Sequence, residues 1–257
     1  MKRIVFATLF LLVSSTLAQN QTPPTSLQNL YLVTEVRVQQ GMGQEYLELM
    51  KNEDLPALKK GGAKQRNAFT KSIFGELGGY IFIQPIESLK QLDEPGGPRI
   101  KALGAEGARA LNQKRTRLTD STRNYLVQLR PDLSANVPKP DTPPAKGAFA
   151  IRLTIAPGRT AEYESYVKND VLPILQKAYP KGVLTAKVLL GGDGNEYRVL
   201  ALVDSFEELE KNMLTAVREG FMKIQSKSAG IVLHAESSVV RYVPELSIQP
   251  EAQKAEK

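Results

Sequence analysis

Apolar positions along the chain fall into short alternating runs separated by runs of helical period. Phe149, Ile151, Leu153 and Ile155 alternate with Ala148, Ala150, Arg152 and Thr154, the period of a half-buried strand. Pro157-Gly158 turns the chain, and Tyr163, Tyr166 and Val167 recur at helical spacing, as Tyr46, Leu49 and Met50 do earlier. Val183 to Leu190 and Glu196 to Val203 predict two strands joined by Gly191-Gly192-Asp193-Gly194-Asn195, a hairpin signal. Ser88 with Gln91, and Ser205 with Glu208, have capping-box spacing and predict the start of a further helix. A last strand is expected from about Ile231 to Val243, with a counterpart from about Asp120 to Arg130.

The pattern occurs twice. Shifted by 117 residues, Gly41 to Leu92 aligns without a gap on Gly158 to Leu209, with 14 of 52 positions identical. Composition alone predicts about 6% identity, so the match marks an internal repeat. A shift of 113 aligns Glu106 to Ser134 with Glu219 to Ser247, and both halves end alike, as Pro131-Asp132-Leu133-Ser134 and Pro244-Glu245-Leu246-Ser247. Each half then reads β-α-β-β-α-β, the ferredoxin-like order, which makes the expected fold α+β. The expected domains are repeat one at 28–134, a stiff Pro-rich linker at 135–146 and repeat two at 147–247, with disordered segments at 19–27 and 248–257. Two ferredoxin-like units each leave one sheet face bare, and the expectation is that they cover one another within the chain. In the first helix of each repeat, Pro56 and Pro173 cannot donate to the carbonyls of Asn52 and Asn169, which predicts a kink there.

Composition narrows the chemistry. Among 257 residues there is no cysteine, no tryptophan and one histidine, His234, which excludes thiolate metal sites, cysteine nucleophiles and polyhistidine sites. Lys2 and Arg3, an apolar run from Ile4 to Leu12 and Thr16-Leu17-Ala18 read as a signal peptide at 1–18, so the protein is expected to be periplasmic or extracellular. That run is too short for a transmembrane anchor. The formal charge of +7 falls by two when Lys2 and Arg3 leave, and the eight basic residues between Arg99 and Arg130 lack aromatic interleaving, so no nucleic-acid partner is expected. There is no phosphate loop, nucleophile elbow or catalytic carboxylate pair.

The entry to the first helix from Ala156 to Tyr163, the later Leu172-Pro173 and the doubled β-α-β-β-α-β order resemble the dimeric α/β-barrel superfamily, in its NIPSNAP and antibiotic-biosynthesis-monooxygenase-like branches. That resemblance implies a shared barrel interior, and relatives that range from cofactor-independent monooxygenases to haem enzymes. The haem-degrading pattern wants a tryptophan and the chlorite-dismutase pattern a helical proximal histidine; neither is found, and no cofactor or metal is expected.

Candidate ligand-binding residues follow from the strand faces. If the apolar side of each first strand meets the helices, Val33, Glu35 and Arg37 in one half and Ala150, Arg152 and Thr154 in the other face the interior. Glu35 and Arg152 are equivalent and opposite in charge, and are expected either to bind a polar ligand or, the favoured reading, to neutralise one another. Alternation with Ile81 and Ile83 is taken to place Tyr80, and its equivalent Tyr197, inside as well, as barrel filling or as contacts to an aromatic ligand. His234 is the one residue of a type suited to a general base or an axial haem ligand, but its equivalent is Ser121, so any role belongs to one half. The expected function is an exported module that binds a small apolar or aromatic molecule or a partner, with self-association open; the alternative is a cofactor-independent monooxygenase acting on such a molecule.

Overall fold

The computed structural model describes residues 28–71, 74, 78–93, 97–139 and 142–250, so the expected signal peptide and segment 19–27 lie outside the described residues. The first half contributes strands β1 (Leu30–Val38), β2 (Asn67–Lys71), β3 (Gly79–Ile86) and β4 (Thr119–Leu129). The second contributes β5 (Gly147–Ile155), β6 (Val183–Leu190), β7 (Glu196–Val203) and β8 (Val232–Tyr242). All eight form one closed antiparallel barrel in the order β1-β3-β2-β8-β5-β7-β6-β4. Closure leaves the two halves joined edge to edge, through β2 with β8 and β4 with β6. Outside the barrel lie α1 (Gly43–Leu49), α2 (Leu55–Lys60), α3 (Gly97–Arg117), α4 (Thr160–Tyr166), α5 (Leu172–Ala178), α6 (Phe206–Arg218) and α7 (Phe221–Ile224). Among the described residues, no helix is long and apolar enough to cross a membrane.

Both prolines act where expected, but the distortion is a change of helical register. A π-helical turn, Met50–Asp54, joins α1 to α2, and Val167–Val171 joins α4 to α5. Each runs into Leu-Pro, where the missing N–H frees the preceding carbonyls for a wider turn. The two capping boxes differ. Ser205 Oγ accepts from Glu208 N at 3.1 Å and Glu208 returns the bond to Asp204 N at 2.7 Å, so α6 starts there. At Ser88 only Gln91 closes back, on Glu87 N, and the result is a short 3-10 turn, Leu89–Leu92; α3 starts later, at Gly97.

Over most of the barrel the strands carry core residues on both faces, although the first part of β8 is exposed. Val36, Val38, Phe82 and Ala68 pack against Tyr46 and Met50 under the first half's helices, and Ile155 and Tyr197 against Tyr163 and Val167 under the second's. Val33, Tyr125, Val127 and Val188, with Ile81, Ile83 and Ala186, form a cluster without helical residues, which is the barrel interior.

The matching chain ends explain themselves here. Leu133, fully buried, enters the helix-covered core of the second half, and Leu246, fully buried, enters that of the first. The adjoining serines do the same with hydrogen bonds: Ser134 Oγ accepts from Thr185 N of β6, and Ser247 Oγ from Ala68 N of β2, each at 3.0 Å. Ile248, placed by sequence in the tail, is buried and bridges Arg66.

In the first half an ion cluster joins this crossing. Asp54, fully buried, accepts from Arg66 Nη1 at 2.9 Å, from Arg99 Nε at 2.6 Å and from Arg99 Nη2 at 3.0 Å, while Arg66 Nη2 reaches the Leu246 carbonyl at 3.2 Å. Burial alone would raise the Asp54 carboxyl, but the Arg99 hydrogen bonds and the charges of Arg99 and Arg66 outweigh it and hold it below the ordinary value.

Leu246→Ala should cost about 2–5 kcal/mol, whereas Leu233→Ala, at an exposed position, should stay within about 0.5 kcal/mol. Hydrogen exchange should speed first around Met50 and Phe82 of the opposite half; loosening confined to the second half would refute the crossing. For Asp54, a lowered folded pKa means the unfolded chain binds more protons, so its stabilisation is present above the ordinary value of 3.8 and drains away as pH falls below it. Urea midpoints of wild type should therefore drop through that window, and Asp54→Asn should flatten the drop while losing about 3–5 kcal/mol at neutral pH.

Candidate functional site

The site grows from the strand faces that turn away from the helices. On β1, Val33, Glu35 and Arg37 lie opposite Ile83, Ile81 and Gly79 of β3 and opposite Tyr125, Arg123 and Ser121 of β4. On β5, Ala150, Arg152 and Thr154 lie opposite Leu200, Arg198 and Glu196 of β7 and opposite Ser238, Glu236 and His234 of β8. Cross-strand partners share a face, so one layer of the interior gathers Glu35, Arg123, Tyr125, Arg152, Glu196 and Arg198.

These groups touch. Tyr125 Oη donates to Glu35 Oε1 at 2.8 Å, and the Arg198 guanidinium lies over the Tyr125 ring, 4.9 Å from its centre, with Nη2 4.0 Å from Glu35 Oε1. Glu196 is fully buried, with Arg198 Nη2 at 2.5 Å, Arg152 Nε at 3.1 Å and Arg123 Nη2 at 3.6 Å. The contacts to Glu196 are close but lack the alignment of hydrogen bonds, which leaves Arg198 Nε and Nη2, Arg152 Nε and both Glu196 oxygens without a directed partner. Burial first, then the Glu35 charge, pushes the Tyr125 phenol far up, so it remains a donor at neutral pH.

Access runs from one end. Glu196 is 0% and Arg198 15% exposed, but Glu35, Arg152 and Arg123 are 27%, 33% and 37% exposed. The Gly191-Gly192 turn between β6 and β7 closes over the group: a Cβ on Gly192 would stand 3.0 Å from Arg123 Nη2 and 3.1 Å from Glu196 Oε2. Across from the charges, β2 and β3 present Phe69, Ile81 and Ile83, with Phe69 edge-on to Tyr242 at 5.7 Å. The interior thus has a charged wall and an apolar, aromatic one. Two surface concavities, about 650 Å³ along Gln28–Tyr31 and Pro85–Leu89 and about 400 Å³ between α2 and α3, include no residue of this cluster. Among the described residues, no group of three or more histidines, aspartates and glutamates could hold a metal ion.

The sequence-derived candidates separate. Glu35 and Arg152 face the interior, but not as a pair: Glu35 engages Tyr125 and Arg198, and Arg152 engages Glu196. Arg37 sits at the exposed end of β1, 3.7 Å from Asp120. His234 is exposed on β8, in register with Thr154.

Tyr80 and Tyr197 need correction, because both lie on the helix side of the barrel. Tyr80 pairs with Val36, stacks on Phe82 and meets Tyr46 at 5.2 Å. Tyr197 pairs with Leu153, meets Tyr163 at 4.8 Å and donates to Glu164 Oε1 at 2.6 Å, with Arg130 on the same carboxylate. Their aliphatic and charged neighbours, Ile81 and Ile83 on β3 and Glu196 and Arg198 on β7, are the ones that turn inward. Sequence reasoning missed Glu196 and Arg198 although they flank Tyr197, and missed Arg123 and Tyr125, whose contacts with Glu196 and Arg198 arise because closure pairs β4 with β6.

No protein-family model and no curated protein matches the sequence. Solved structures do match. One from Fusobacterium nucleatum subsp. nucleatum ATCC 25586, described as a "putative monooxygenase", overlays at TM-score 0.57 and 10% identity, covering 87% of this chain and 94% of that one. Another with the same description, from Lactobacillus acidophilus NCFM, gives 0.54 and 9%, covering 86% and 95%. An anthrone oxidase-like protein gives 0.53 and 12%, covering 83% and 91%. At these identities the likeness is one of fold, and that fold is the dimeric α/β barrel, here closed by eight antiparallel strands of a single chain.

Proposed function

We propose that the protein is an exported binding module whose barrel interior holds a small apolar or aromatic molecule. The observation that carries this reading is the two-sided interior: Phe69, Ile81 and Ile83 offer an apolar surface facing a layer of charged groups that is open at one end. A barrel needing only to be filled would be filled with carbon, since charges in an interior cost several kcal/mol each unless well paired. The halves are read as two ferredoxin-like units arising by duplication, supported by the gapless 117-residue match and by the same strand order in each half, β4-β1-β3-β2 and β8-β5-β7-β6.

A cofactor-independent oxygenase is a second reading. It is favoured by the descriptions of the structural neighbours and by Glu35 and Arg198 lying within one layer. A carboxylate beside a guanidinium can take a proton from a substrate and hold the anion that results.

Native mass spectrometry of protein purified from its own compartment should show an added small-molecule mass released on unfolding, and a uniform apo mass would refute the binding reading. Export is tested separately. N-terminal sequencing of the mature protein should begin at Gln19, whereas an intact Met1 in the cytosol would refute export.

A further inference from the structure

We propose, resting on the interior-ligand reading, that the site selects molecules carrying an anionic oxygen, a small aromatic or apolar carboxylic acid, seated on Arg198 and Arg152 with its apolar body toward Ile81 and Phe69. Three guanidinium groups, Arg123, Arg152 and Arg198, converge on the one Glu196 carboxylate, while Glu35 is engaged by the Tyr125 hydroxyl. Within this layer cations outnumber anions. Among the described residues, other charged groups on inward strand positions are Glu236 and His234 of β8 and Arg37 of β1, all exposed, and the half-buried Lys71 of β2.

Direction matters as much as charge. Arg198 Nε, Arg198 Nη2 and Arg152 Nε are buried and lack an aligned acceptor, although Glu196 stands within 3.1 Å of two of them. A buried donor whose acceptor is close but misaligned is only partly satisfied, and a planar carboxylate accepting from a guanidinium in two parallel bonds supplies the missing alignment.

The repeat supplies a control. Under the 117-residue shift, Arg152, Glu196 and Arg198 correspond to Glu35, Gly79 and Ile81; under the 113-residue shift, Arg123 and Tyr125 correspond to Glu236 and Ser238. Barrel closure makes the same demands on both halves, yet only one of the two equivalent places holds the cluster, so closure alone does not require it.

The test is calorimetric titration of the purified full mature chain, freed of any bound molecule, with benzoate and naphthoate against benzamide and naphthamide. At least one acid should bind about tenfold or more tightly than its amide, a difference of about 1.4 kcal/mol, and the preference should shrink as salt is raised. Arg198→Gln should abolish the preference, and Arg218→Gln, on the exposed end of α6, should leave it intact. If Arg198→Gln does not fold, as judged by its thermal transition, Arg152→Gln takes its place.

Amides that bind as well as acids, or a preference that survives both arginine changes, would overturn the anion inference while leaving the interior-ligand reading standing. Binding of neither class, together with a uniform apo mass, would overturn both.

Discussion

The barrel exists because each half is finished by the other. Leu133 and Leu246 are fully buried in cores built by the opposite half, and Ser134 and Ser247 fasten the incoming segments to β6 and β2. Without these crossings β4 and β8 would end as free strands, and the β4–β6 and β2–β8 seams would rest on a few backbone pairs each. The seams in turn create the enclosed layer where Glu35 of one half meets Arg198 of the other. The site is therefore a property of the closed barrel rather than of either half.

The two helix-covered cores reach the same packing by exchanging charge for carbon. Asp54 and Arg66 form a buried ion pair where the 117-residue shift places Val171 and Val183 in apolar clusters. Glu164 and Arg130 form a half-buried one where the equivalents, Leu47 and Val243, pack with Tyr46 and Phe82. That each position tolerates both solutions agrees with the near balance between desolvation and attraction for buried pairs, provided both members are present. What the ion pairs add is direction. Arg66 also holds the Leu246 carbonyl, and Arg130 also holds Asp132 of its own crossing segment, so both charge clusters are anchors for the exchanged ends.

Strand and helix positions were legible in the sequence because burial under helices imposes clear periods, and the doubled pattern made the order of elements readable twice. Assigning faces succeeded on β1 and β5, where charge and carbon alternate. It failed on β3, where Tyr80 and Phe82 alternate with Ile81 and Ile83 and both faces are apolar, because a closed barrel buries its inner surface as thoroughly as its outer one. On β7 the signal was present but read the wrong way round: the aromatic Tyr197 belongs under α4, and the charged residues on either side of it turn inward. The partners of Glu35 and Arg152 could not be read at all. Tyr125 lies 90 residues from Glu35, on the neighbouring strand β4 of the same half, and Arg198, the other partner of Glu35, is on β7 and comes near only by closure.

The bridge between Arg66 and Ile248 has a consequence for the order in which the molecule comes into being. These two residues stand 182 positions apart in a chain of 257, and the pocket around Tyr46 and Met50 stays open until Leu246 arrives. Loop closure over such a distance is slow, and the first half, made first, must wait with an uncovered apolar surface and an unpaired β2 edge. Completion of the first half's core thus waits for the segment that follows β8, and a chain ended before Leu246 is marked by the surface it cannot hide.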